Sequence, residues 1–210
     1  MKRADKRKMA RAIRDAVPGL YEKGGLLAAT PRGRVLRGIY LEGSGWDPDG
    51  VYVTAFVQPL YLLADCMWFS LGFRLGRGGP TWSIRQVEKV VALVQEEGVP
   101  FFESITSPDA LVNWEYLDRN TSIAREVRAY SLAAAGRFRE GAYSLHEFVS
   151  WLSALNSQPS SVERPEWSIR RQQRAERLAH LAETNPTAAS EQLAQWEKET
   201  IAALRIEDVP

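Results

Sequence analysis

VLRGIYLEGSGWDPDGVYVTAFVQPLYLLADCMWFSLGF, residues 35–73, holds most of the β-forming residues and the clear hairpin turn of the chain. Val35–Glu42 alternates, with Val35, Arg37, Ile39 and Leu41 on one face and Leu36, Gly38, Tyr40 and Glu42 on the other. Both faces are partly apolar, which predicts a strand that is central or covered on both sides. Gly43–Gly50 ends in Asp47-Pro48-Asp49-Gly50, a turn sequence in which Pro presets φ and Gly supplies positive φ. Val51–Val57 is the return strand, with Val51, Val53, Ala55 and Val57 opposite Tyr52, Thr54 and Phe56. Pro59 ends it or marks an edge. Met67–Phe73 reads as the last strand.

Upstream, residues 1–17 form an amphipathic helix with Met9, Ala12, Ile13 and Ala16 as its apolar stripe, ended by Pro18-Gly19. Leu26–Ala29 is a short strand, and Thr30-Pro31-Arg32-Gly33 a turn. Downstream the chain turns helical. Ser83 and Gln86 make a capping box. Ile84, Val87, Val90, Val91 and Val94 follow at helical spacing, and Gly98 stands as the C-cap. Val99-Pro100-Phe101-Phe102 reads as an apolar connector. Ser107-Pro108 opens a helix carrying Ala110, Leu111, Trp114 and Leu117. Another spans about Ser122–Ala135, ended by Gly136, and Ser144 with Glu147 caps the next.

Asn156–Pro165 has the composition of a linker. Two helices follow, about Glu166–Thr184 and one opening at Asn185-Pro186, carrying Trp167, Leu178, Leu181, Leu193 and Trp196. The expected fold class is α+β: an N-terminal helix, an antiparallel sheet of three to five strands covered by helices, and a helical C-terminal region. The expected organisation is a sheet domain over 1–120, a helical hairpin over 121–155 packed on it, a linker over 156–165 and a C-terminal hairpin over 166–210. That last hairpin either packs on the body or serves as a homodimer arm.

The 210 residues are 45% hydrophobic and 25% charged, the mix of an ordinary globular protein. Net charge is +1, so no global field draws the chain to nucleic acid or membrane. Cys66 is the only cysteine, so no intramolecular disulfide forms. Apolar runs are broken by Gln58, Pro59 and Asp65 before reaching the roughly 20 residues of a spanning helix. The basic start has no apolar signal-peptide core behind it, and a cytoplasmic location is expected.

Chemistry-bearing patterns are sparse. Cys66 as a nucleophile needs a base, and only His146 and His180 are available, in no cysteine-hydrolase pattern. The same residues match no zinc spacing. Asp47-x-Asp49-Gly50 fails as a calcium loop, because Gly45 and Phe56 fall at the first and last ligand positions. Gly76–Gly79 lacks a Walker or dinucleotide fingerprint. No cofactor or metal is expected. Seven Lys or Arg precede Asp15 against one acid, Asp5. No aromatics interleave with them, so a solvated helix face is the plainer reading and a nucleic-acid arm the alternative. Trp46, in a Gly-rich turn beside Asp47 and Asp49, is the aromatic most open to a partner.

The basic first helix, Gln58-Pro59-Leu60-Tyr61 after a meander, and Pro100-Phe101-Phe102 after the amphipathic helix are similar to a layout of uncharacterised bacterial α+β proteins. Some similar-looking domains serve as immunity proteins in toxin–antitoxin or contact-inhibition systems. The resemblance covers about residues 1–120 and carries over no functional residues. Residues 121–155 resemble a single tetratricopeptide-type helical hairpin, on Tyr130, Ala134, Gly136, Phe138 and Leu145, with Gly141 where a packing alanine is usual. One unit makes no solenoid.

The leading expectation is a non-enzymatic cytosolic module, of immunity or accessory type, that binds a protein partner through Trp46, Asp47, Asp49 and Glu42. The alternative is nucleic-acid binding through Lys2, Arg3, Lys6 and Arg7 with the Arg170–Arg177 face, including Arg171 and Arg174. An enzyme with an unrecognised site is the third reading.

Overall fold

Pro18 and Gly19 end the first helix and turn the chain into a sheet. A computed structural model describes residues 3–23, 25–115, 121–156 and 166–206. Lys2 and most of the 156–165 linker lie outside these residues, as does Leu117. The fold is α+β, with an N-terminal helix, a five-stranded antiparallel sheet and a helical C-terminal region. The chain divides into two compact units. The first gathers residues 1–58, 65–106 and 201–210, and the second residues 59–64 and 107–200.

In the first unit, helix α1 (Arg3–Ala16) buries Met9, Ala10 and Ile13, while Ala12 and Ala16 lie at the margin of that face. The strands are β1 (Leu20–Lys23), β2 (Leu26–Arg32), β3 (Val35–Gly43), β4 (Val51–Pro59) and β5 (Gly72–Arg74), adjacent in chain order. Strand β1 extends the expected set, and β2 runs past Ala29 to Arg32 through a register irregularity. The turn into β3 is therefore Gly33-Arg34, both at positive φ, as a two-residue hairpin requires. Strand β3 is buried on both faces from Val35 to Ile39, as its double apolar pattern implied. At Gly38 the strands come so close that a Cβ would lie 2.1 Å from the Leu27 carbonyl oxygen, so only glycine fits. The buried Arg37 guanidinium donates to the carbonyls of Thr30 and Phe102, each at 3.2 Å, and pairs with Glu103.

The expected strand over Met67–Phe73 is a loop, with only Gly72 and Phe73 in β5. The Gln58 carboxamide explains the difference, because it supplies the hydrogen bonds a ladder would have supplied. It accepts from the Trp68 amide at 3.2 Å and donates to the Cys66 carbonyl at 3.4 Å. Phe69 then stacks on Tyr40, 4.1 Å between centroids, and packs edge-on to Phe56.

The helix after the sheet also differs. Ser83 and Gln86 do start it, the Ser83 amide donating to the Gln86 side chain at 3.1 Å. A 3₁₀ turn (Ile84–Gln86) leads into α2 (Val87–Leu93), a π-helical stretch (Val94–Gly98) and α3 (Val99–Ser104) without a break. Gly98 is right-handed and buried, and a Cβ there would lie 2.9 Å from the Ile39 Cδ1. It is a packing glycine and not a cap. Pro100 sits in the first turn of α3 directly after the π-helical stretch, where it gives no N–H to the carbonyls behind it.

The second unit holds α4 (Pro108–Val112), α5 (Ser122–Ala134), α6 (Phe138–Asn156), α7 (Glu166–Thr184) and most of α8 (Pro186–Leu204). Ser107 Oγ accepts from the Ala110 amide, but α4 stops at Val112, short of Trp114. Gly136, at φ +80°, ends α5. Helix α6 starts straight after it at Phe138, so Ser144 is mid-helix and caps nothing. Helix α7 packs along α6. Val127, Tyr130, Leu145, Phe148, Leu178, Leu193 and Trp196 fill the core, and the Tyr61 hydroxyl shares a 2.6 Å hydrogen bond with Ser131.

Candidate functional site

Residues 44–50 join β3 to β4, and five hydrogen bonds tie this loop to itself. Ser44 Oγ accepts from the amides of Trp46 (3.2 Å) and Asp47 (3.0 Å). Asp47 Oδ1 accepts from the Asp49 amide, and the Asp47 carbonyl from the Gly50 amide, both at 3.0 Å. The Ser44 amide closes the ring onto the Gly50 carbonyl, also at 3.0 Å. Gly50 does not take the positive φ expected of it; glycine suits the position by room, because a Cβ there would stand 2.5 Å from the Asp47 carboxylate that holds the loop. Short Ser and Asp side chains hold turns in this way, by imitating backbone. On this frame Trp46 is 93% exposed. Asp49 is exposed too, while Asp47 is half-buried and occupied with its own loop.

Glu42, at the end of β3, is shared. It lies 3.4 Å from Arg74, whose guanidinium sits 3.6 Å above the Tyr52 ring. It also acts on Lys6 of α1. Burial pushes the Lys6 ammonium below its ordinary range, and Glu42 works against that. Lys6 lies over the Tyr40 ring, 5.3 Å from its centroid. Arg7 is exposed on the same helix, and the Arg3 side chain lies outside the described residues.

The basic residues of α7 divide. Arg171 turns inward and bonds the buried Glu126 carboxylate at 2.6 Å and the Ser122 carbonyl at 3.1 Å. Its guanidinium also lies 5.1 Å from the Phe148 ring centroid. Burial pushes the Glu126 carboxyl up, and Arg171 opposes the shift. Arg170, Arg174 and Arg177 instead line a groove with Leu63, Gln173 and Trp196. No feature of the sequence separates Arg171 from its neighbours except its place on the helix. The two tryptophans of this hairpin also part: Trp196 is buried in the unit's core, whereas Trp167 is 63% exposed.

A larger groove of about 800 Å³ runs beside Arg137, Glu140, Tyr143, His146 and Glu183. Two pairs answer charges in it. Arg137 donates to Glu140 at 2.9 Å, and His146 Nε2 lies 2.9 Å from Glu183. The Cys66 thiol is pushed up by partial burial and the adjacent Asp65 carboxylate, which weakens it as a nucleophile at neutral pH. Among the described residues no group of three His, Cys, Asp or Glu is placed to hold a metal ion, and no helix is long and apolar enough to cross a membrane.

No protein-family model, no curated protein and no solved structure matches this chain.

Proposed function

We propose that this chain is a non-enzymatic protein-binding module that presents the Ser44–Gly50 loop to a basic surface on its partner. One observation supports the reading: a tryptophan 93% exposed on a backbone already ordered by five hydrogen bonds. An indole left in water forgoes burial of roughly 150–250 Å² at about 25 cal/mol per Å², the payload that interface hot spots recover on binding. A preordered loop also lowers the entropy lost on association. The exposed Asp49 supplies charge that favours a basic partner, while Glu42, shared with Arg74 and Lys6, would have to be released to add to it. An immunity or accessory role, in which a preformed surface blocks another protein, is one use of such a loop.

The test places a photo-crosslinking residue at position 46 in the native host and purifies what it captures. The captured partner should then bind the Trp46→Ala chain about 30-fold or more weakly, the loss expected of a hot spot worth at least about 2 kcal/mol. Asp49→Asn should slow association at low salt. Asp47 is unsuited to a charge test because its carboxylate holds the loop. Unchanged affinity in Trp46→Ala, with an unchanged melting temperature, rules the loop out as the contact.

A further inference from the structure

The groove on α7 is about 390 Å³ and lies within the second unit. Positions 170, 173, 174 and 177 follow one another at i, i+3, i+4 and i+7, so Arg170, Gln173, Arg174 and Arg177 share a helix face. Packing does not require this face. Helix α7 buries its opposite side through Ala175, Leu178, Ala179 and Ala182, and Arg171 answers the buried Glu126. Like charges one turn apart repel, so the cluster costs stability unless something relieves it.

The acids nearby do not relieve it fully. Arg170 pairs with Glu166 along the helix. The charge of Arg174 reaches Glu126, but the Oε2 of that carboxylate is already on Arg171, and no hydrogen bond or ion pair joins it to Arg174. Among the described residues neither Arg174 nor Arg177 has an ion-pair or hydrogen-bond partner. Beside them the groove is walled by Trp196, 5% exposed, and half-buried Leu63. An apolar wall lowers the local dielectric and strengthens any anion contact the guanidiniums make.

We propose that this groove binds a small phosphorylated molecule, its phosphate held between Arg174 and Arg177 and its body against Leu63 and Trp196. A phosphate offers three oxygens and close to two charges, enough to engage two guanidinium forks at once, whereas one carboxylate fills a single fork. The volume falls in the range of small-ligand sites and suits a body of nucleoside size. This site is independent of the Trp46 loop, so the fate of one proposal does not decide the other.

Calorimetric titration of the full chain with pyrophosphate, AMP and a mixed-sequence single-stranded oligonucleotide tests it. AMP or pyrophosphate should bind saturably. The Arg174→Gln/Arg177→Gln double variant should weaken this at least tenfold while its circular dichroism stays unchanged and its melting temperature does not fall, since relief of like-charge repulsion works in its favour. Arg174→Lys should fall between, because lysine keeps the charge and loses the fork. Lys6→Gln/Arg7→Gln should bind as wild type. Absence of binding to both small phosphates at about 10 mM, beyond the weakest useful affinity, overturns the proposal. So does binding that survives in the double variant. Binding of the oligonucleotide alone, lost in the double variant, overturns it in favour of a nucleic-acid surface.

Discussion

At the scale of single residues, the Arg171–Glu126 pair is a buried ion pair of the second unit. Both side chains are largely buried, so each answers the other's desolvation. Arg171→Met leaves a buried carboxylate without its counter-charge and should cost about 3–5 kcal/mol in urea unfolding. The Arg171→Met/Glu126→Leu double variant should recover most of that loss. The single variant should carry a pH signature as well. Without Arg171 the Glu126 carboxyl is pushed further up, so the folded state holds a proton that the unfolded chain releases. Stability then falls as pH rises from the unfolded carboxyl range through the raised folded value, and the deficit narrows in acid. Tyr130 offers the opposite case. Its ring packs near Trp196, 5.9 Å between centroids, but its buried hydroxyl has no hydrogen-bond partner among the described residues. Tyr130→Phe should therefore be neutral or raise stability by about 1 kcal/mol, read from the same urea midpoint. Neither role is legible in the sequence. Arg170, Arg171 and Arg174 look alike there, and Tyr130 reads only as a helix-pairing aromatic.

At the scale of elements, the contact between α5 and α6 depends on Gly141. A Cβ at that position would stand 2.8 Å from the Ala133 amide nitrogen and 3.1 Å from its Cα, so the two backbones meet without a side chain between them. Alanine is better than glycine in a helix by about 1 kcal/mol, but forcing a methyl into close-packed backbone costs about 1–3 kcal/mol. Gly141→Ala should therefore destabilise the protein, while Gly45→Ala, with open space around it, should not. Thermal unfolding of the two variants side by side checks this. Most elements were legible from periodicity, because apolar spacing reports which face each one buries. The misreadings share one cause. Met67–Phe73, Gly98 and Ser144 each carry a local pattern for a strand, a cap and a helix start. The Gln58 side chain, the Ile39 methyl and the early start of α6 at Phe138 override them.

At the scale of the whole molecule, both units draw on the end of the chain. Residues 201–206 belong to the first unit, where Ile206 is buried and Lys23 donates to the Arg205 carbonyl. Helices α7 and α8 belong largely to the second, whose core they complete with Leu178, Leu193 and Trp196. A chain cut after Asn156 should lose more helical signal than the deleted helices account for, and should bind a hydrophobic dye. Sharp cooperative unfolding of that fragment would show instead that the C-terminal helices are dispensable. Legible in the sequence were the α+β class, the β3–β4 hairpin with its exposed tryptophan loop, and α5, α7 and α8, though not the start of α6. These follow from turn chemistry and from periods of two and 3.6, which act over a few residues. Which arginine of α7 turns inward and which face the groove emerges only in the folded chain, because Arg171 meets Glu126 45 residues away. Periodicity records that a side chain is turned inward. It holds no record of the distant group that meets it there.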